Sequence, residues 1–195
     1  DERCFFLAVD FDEGDWSADA RAFLETCGRL KVPAVLERSR SGEGGHVWVF
    51  FAEAIPAALA RKLGAHVLTE TMERRPEAGM KSYDRFFPNQ DTLPRGGFGN
   101  LIALPLQKGA REKGNSVFVN EDLVPFEDQW AFLAGVRRMT KAEVEAIVHE
   151  AEGRGRVIGV RMVLPDEEDA AEPWKLMPSR QKHSLPVGQM PARLD

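Results

Sequence analysis

The sequence predicts a mixed α/β (α+β) domain, and three observations carry that prediction. Short apolar runs rich in β-branched and aromatic residues, bounded by acids, glycine or proline, read as strands. Between them lie stretches whose apolar residues recur at helical spacing behind recognisable caps. The composition, 43% hydrophobic and 29% charged over 195 residues, belongs to a chain that buries a core and not to a disordered one.

In chain order, Cys4-Phe-Phe-Leu-Ala-Val9 reads as a buried central strand ending in Asp10-Phe11-Asp12. After Gly14, Ser17 is placed to cap a helix whose apolar positions Ala20, Phe23, Leu24, Cys27 and Leu30 share one face. Pro33 to Glu37 and His46 to Phe51 read as two strands joined by a Gly/Ser turn from Ser39 to Gly45, a hairpin with a polar tip. Pro56 opens a helix that runs to about Arg74, where Pro76 and Gly79 stop it. A strand from Ser82 to Phe87 is followed by a loop holding Gly96, Gly97 and Gly99, and then by a strand from Asn100 to Leu106. Gln107 to Asn115 forms a basic loop, Val117 to Val119 a short strand and Phe126 to about Arg138 a helix. Thr140-Lys-Ala-Glu143 is a capping box opening a further helix to Gly153. Arg156 to Leu164 offers a last strand, after which periodicity is lost, so 1–164 is expected to be the core and 165–195 an extended tail or linker.

No apolar run approaches the roughly 18 to 20 residues a membrane span needs, and the acidic start lacks the positive charge of a signal peptide. A cytoplasmic protein with no membrane partner is expected. Two cysteines, Cys4 and Cys27, make no disulfide framework and match no zinc spacing. The four histidines, His46, His66, His149 and His183, are scattered, which argues against a zinc site built from this chain alone. The net charge, 26 − 31 = −5, argues weakly against nucleic acid, although charge distribution decides more than the total.

Three segments carry candidate chemistry. Asp10 and Asp12 stand two apart on a strand, so both carboxylates point to one side of the sheet, where they repel unless a cation lies between them. That suits Mg²⁺ or Mn²⁺ in phosphoryl or nucleotidyl transfer; the competing explanation is a strand running into a solvated acidic turn. Ser39-Arg-Ser-Gly-Glu-Gly-Gly-His46 can present backbone amides, Ser39, Ser41, Arg40 and His46 to a phosphate, or be an ordinary glycine hairpin. It is not a Walker loop, because no Gly-Lys-Ser/Thr follows. Within Ser82-Tyr-Asp-Arg-Phe-Phe-Pro-Asn-Gln-Asp91, Asp84 and Asp91 each offer a third acid. Arg74, Arg75, Lys81, Arg85, Arg95, Lys108, Arg111, Lys113, Arg137 and Arg138 can form a basic rim around that acidic centre. Trp48, Phe86, Phe87 and Phe98 are candidates for base stacking, although such residues more often pack a core.

Taken as a set and in order, FLAVDFD, SRSGEGGHVWVFF and SYDRFFPNQDTLPRGGFGNLIALPLQK resemble the archaeo-eukaryotic primase superfamily of primase-polymerases. The wording FPNQD and GNLIALPL is most similar to the branch found in TOTE conflict systems and to CRISPR-associated primase-polymerases. The resemblance covers about residues 5 to 120.

It implies an RRM-like antiparallel sheet packed by helices, holding two divalent metals, Mg²⁺ or Mn²⁺. Asp10 and Asp12 would be metal ligands, with Asp91 as the third and Asp84 in reserve. His46 would bind the nucleotide's phosphates, surrounded by Ser39, Arg40, Ser41 and Gly45, and Lys108 would add a contact. The implied activity is template-directed nucleotidyl transfer on a DNA template and primer with dNTP or NTP, with a fused or associated helicase as partner. Relatives carry an N-terminal portion before the first motif, often with zinc-binding cysteines, so an excised core better suited to extension than to initiation is expected. Two other classes fit the same acids: a metal-dependent nuclease or phosphohydrolase, and a non-catalytic nucleic-acid-binding module attached to a helicase.

Overall fold

Alternation along one strand organises the molecule. In the computed structural model, which describes residues 2–75, 80–92 and 101–155, β1 (Arg3–Asp12) occupies an interior position in an antiparallel sheet. Its partners are β2 (Val35–Arg38), β3 (Gly44–Pro56), β4 (Tyr83–Phe87) and β5 (Val117–Val119). The strand order is β4-β1-β3-β2-β5, and every pairing is antiparallel. The helices are α1 (Trp16–Arg29), α2 (Ala57–Arg74), α3 (Lys108–Arg111), α4 (Gln129–Gly135) and α5 (Lys141–Gly153).

The odd-numbered residues of β1, Leu7, Val9 and Phe11, join Val47, Val49 and Phe51 of β3 in the main core. Phe23 of α1, Leu63 and Val67 of α2, and Val144 and Val148 of α5 close over them. Each such large side chain contributes about 1.5–3 kcal/mol on full burial, and this layer holds the helices to the sheet. The even-numbered residues face the other way. There Ala8, Trp48, Phe87, Phe118 and Leu106 form a second, smaller cluster under Ile102, Phe126, Phe132 and Leu133. This cluster covers only part of the face, and Asp10 and Asp12 lie beyond it.

Several predicted elements are corrected. Asp15, not Ser17, caps α1, its carboxylate accepting from the Ala18 amide. Residues 101–106 form no strand. Pro105 lacks a ladder donor, and Ile102 and Leu106 lie on the second sheet face instead of extending an edge. The helix expected from Phe126 begins at Gln129 and ends at Gly135, because the Phe126 amide bonds back to Phe118 O. The basic loop contains the short α3. The Thr140–Glu143 capping box is present. The glycines at 96, 97 and 99, the expected strand 156–164 and the tail 165–195 lie outside the described residues.

Two glycines shape the hairpin between β2 and β3. Gly42 adopts φ +89°, a left-handed conformation open to glycine. Gly45 sits under the Trp16 ring so closely that an added Cβ would lie 2.5 Å from Trp16 Cζ3. We expect Gly45→Ala to cost about 1–3 kcal/mol by overpacking, measured by urea unfolding. Trp16→Leu in the same chain should restore part of the loss, and an unchanged midpoint in Gly45→Ala would refute the contact.

Candidate active site

The strand registers assemble a polar row across the second sheet face. Asp10 of β1 lies opposite His46 of β3, and His46 lies opposite Glu37 of β2. Paired residues on neighbouring strands project to the same side, so three side chains far apart in sequence meet. His46 Nδ1 is 3.0 Å from Glu37 Oε2, and His46 Nε2 is 3.4 Å from Asp10 Oδ1. Asp12, two residues along β1, shares the face and is opposite Gly44.

Asp10, Asp12 and His46 line an open cleft of about 410 Å³ together with Ser39, Arg40, Ser41, Gly44 and Phe87. Leu101, Ile102 and Ala103 supply an apolar wall. The Ser39 hydroxyl accepts from the Gly44 amide and lies 3.0 Å from the Ser41 hydroxyl, which in turn accepts from the Glu43 amide. The Gly42 amide goes to Ser39 O. The turn therefore spends those three amides on itself. Ser39, Ser41, Arg40 and His46 are left as the donors that can meet a phosphate. Asn115 Nδ2 donates to Ser41 O at 3.0 Å, and the Ser116 amide bonds Ser39 O, so the segment after α3 pins the turn in place.

Electrostatics distinguish the candidate third acids. Burial raises the Asp10 carboxyl above its ordinary value; His46 offsets part of this, while Asp84 and Asp12 add to it and Arg85 opposes them. Asp84 thus lies close enough for its charge to act on Asp10, beside the register shift of β1 against β4, with its own carboxylate 2.8 Å from Arg85 Nε. Asp91 is placed differently. It accepts from the buried Arg61 guanidinium at 2.7 Å; neither it nor Asp84 is among the residues lining the cleft. Burial alone would lower His46, but the Glu37 hydrogen bond and the Glu37, Asp10 and Asp12 charges outweigh it and raise the imidazole above its usual value.

Other sequence candidates fall elsewhere. Gly45 pairs with Phe11 and faces Trp16, on the helical side of the sheet. Lys108 is exposed on α3, away from the cleft lining. Trp48 and Phe86 are core residues, whereas Phe87 lines the cleft; Phe98 lies outside the described residues. Glu37 is the residue that sequence reasoning missed. It reads as the polar end of an apolar strand, yet it is 1% exposed. Its one available signal was its offset from His46 across the hairpin.

Among the described residues, no three His, Cys, Asp or Glu side chains converge closely enough to hold a metal ion by themselves. Mg²⁺ is commonly bound through one or two carboxylates plus water and substrate phosphate oxygens. Asp10, which feels the like charge of Asp84, and Asp12 on the same face of β1 fit that donor set.

Helices α1, α2 and α5 cover one face of the antiparallel sheet, and an acidic, histidine-bearing cleft opens on the other. The sequence model for the archaeo-eukaryotic primase domain of TOTE conflict systems matches residues 1–147. The chain belongs to this family. No curated protein matches it.

An acid whose folded pKa is raised favours folding while protonated and loses that contribution as pH rises through the shifted range. Ionised Asp10 is therefore a net cost to the metal-free fold at neutral pH. Asp10→Asn should melt no lower than the parent in metal-free neutral buffer, by differential scanning calorimetry. A clear fall would mean that the attraction between Asp10 and His46 outweighs desolvation and repulsion.

Proposed function

We propose that this domain is the catalytic core of a primase-polymerase that performs template-directed nucleotidyl transfer on DNA, using dNTP or NTP and two Mg²⁺ or Mn²⁺ ions. The observation that carries this reading is the juxtaposition, in one cleft, of Asp10 and Asp12 with a phosphate-sized set of donors from Ser39, Arg40, Ser41 and His46. The metal ions, when bound, supply stabilisation of the charge on the attacking and leaving oxygens.

Asp10 and Asp12 hold the metals, and Asp84, whose charge reaches Asp10, is the better third ligand. Asp91 is committed to Arg61. His46 Nε2, the two serine hydroxyls and Arg40 bind the triphosphate and hold it in line with the primer terminus, which is where positioning lowers the barrier. The wall from Leu101 to Ala103 and Phe87 offers apolar surface to a base or sugar. The same reading pairs the domain with a helicase, fused or associated, in the cytoplasm. No helix among the described residues is long and apolar enough to cross a membrane.

Extension of a labelled primer on a DNA template with Mn²⁺ tests the proposal. The parent should build a ladder, and Asp10→Asn and Asp12→Asn should lose at least about two orders of magnitude in rate, in line with removing groups that stabilise developing charge. Asp84→Asn should lose far more activity than Asp91→Asn. Shortening of the labelled strand would instead identify a nuclease. Template binding without extension or cleavage would identify a binding module.

A further inference from the structure

The buried carboxylate behind His46 has a role that the cleft alone does not reveal. Glu37 is 1% exposed and sits beside Trp48 and Phe118 on the second sheet face. A carboxylate there is costly unless donors surround it, and an apolar side chain of similar volume would cost the fold less. Donors do surround it. Glu37 Oε2 accepts from Trp48 Nε1 at 2.7 Å and meets His46 Nδ1 at 3.0 Å, while Oε1 accepts from the Ser116 hydroxyl at 3.2 Å.

We propose that Glu37 is a positioning residue that fixes the His46 ring, holding Nδ1 as a donor so that Nε2 is presented to the cleft. The indole N–H can only donate, so Trp48 anchors Oε2 as an acceptor. The oxygen that receives the indole proton also faces Nδ1, and its second lone pair is placed to accept a ring N–H. In the imidazolium both ring nitrogens donate, so Nε2 can meet a phosphate as a donor while Nδ1 stays on Glu37. Nε2 is thereby aimed at the side of the cleft where Asp10 stands, 3.4 Å away. Glu37 itself does not line the cleft and acts through the ring. Ser116 ties this arrangement to the phosphate turn, because its amide bonds Ser39 O. One buried acid therefore aligns the histidine with the serines of the turn. The nucleotide half of this inference rests on the proposed function, while the ring geometry stands apart from it.

The test combines ring-nitrogen NMR of His46 with dNTP titration of the parent, Glu37→Gln, Glu37→Leu, His46→Ala and the His46→Ala/Glu37→Leu double variant. The parent and Glu37→Gln, which keeps an acceptor oxygen, should show a slowly exchanging Nδ1–H proton, and Glu37→Gln should keep most of the affinity. Glu37→Leu should lose that proton and bind dNTP about tenfold more weakly, the scale on which groups that orient a functional histidine act. In the His46→Ala background the same substitution should change affinity by no more than about twofold. A persistent Nδ1–H signal in Glu37→Leu, or an equal loss of affinity with and without His46, would overturn the positioning role. If Glu37→Leu does not fold, Glu37→Met carries the same comparison. A parent that binds no dNTP yet shows the ring signal would overturn the proposed function and uphold the positioning.

Discussion

The whole structure depends on β1 serving two environments at once. A strand exposes alternate side chains to opposite faces, and here one set must be apolar enough to seat three helices while the other carries two carboxylates. Leu7, Val9 and Phe11 satisfy the first demand and are almost wholly buried. Asp10 and Asp12 satisfy the second only because the covering segments stop short of them. Had residues 101–106 and α4 reached further along the sheet, the carboxylates would be sealed away from water without partners, a situation far more costly than the partial burial observed.

Charge is distributed across the sheet in a way that follows from this. Reading along the polar row, an acid on β1, an imidazole on β3 and an acid on β2 alternate in sign when the imidazole is protonated. The raised affinity of His46 for its proton is the electrostatic counterpart of that alternation. At the other end, Asp84 and Asp12 crowd Asp10 with like charge, with Arg85 as a partial counterweight. The site is thus compensated on its histidine side and strained on its acidic side, the side proposed to receive cations.

Much of this was legible in the sequence because it depends on local periodicity. The alternation in FLAVDFD placed Asp10 and Asp12 on one face, and the glycine-rich turn before His46 marked a hairpin with a candidate phosphate-binding residue at the start of its return strand. The Thr140 capping box could be read from four residues. What escaped was set by tertiary pairing. Glu37 is buried because β2 lies between β3 and β5, and one of its donors, Ser116, is 79 residues away. The proposal of Asp84 over Asp91 rests on a register shift between β1 and β4 and on an arginine of α2, neither visible in the local pattern. Leu101, Ile102 and Leu106 have strand-like composition, but they satisfy their hydrophobicity by lying on a sheet face.

The cross-strand row also has a consequence for how such a domain can vary in length. Asp10, His46 and Glu37 meet because each occupies the correct parity on its own strand. Helix α1 and the loops that join the strands set only when the chain returns, not which way a side chain points. Residues can be added to connections that do not line the cleft, such as those flanking α1, with little effect on it, since lengthening a loop carries a small entropic cost. A single residue inserted within a paired strand, unless absorbed by a bulge, turns a carboxylate or the imidazole into the helical core. The site is thus tolerant in the connections that stand away from the cleft and unforgiving inside its strands.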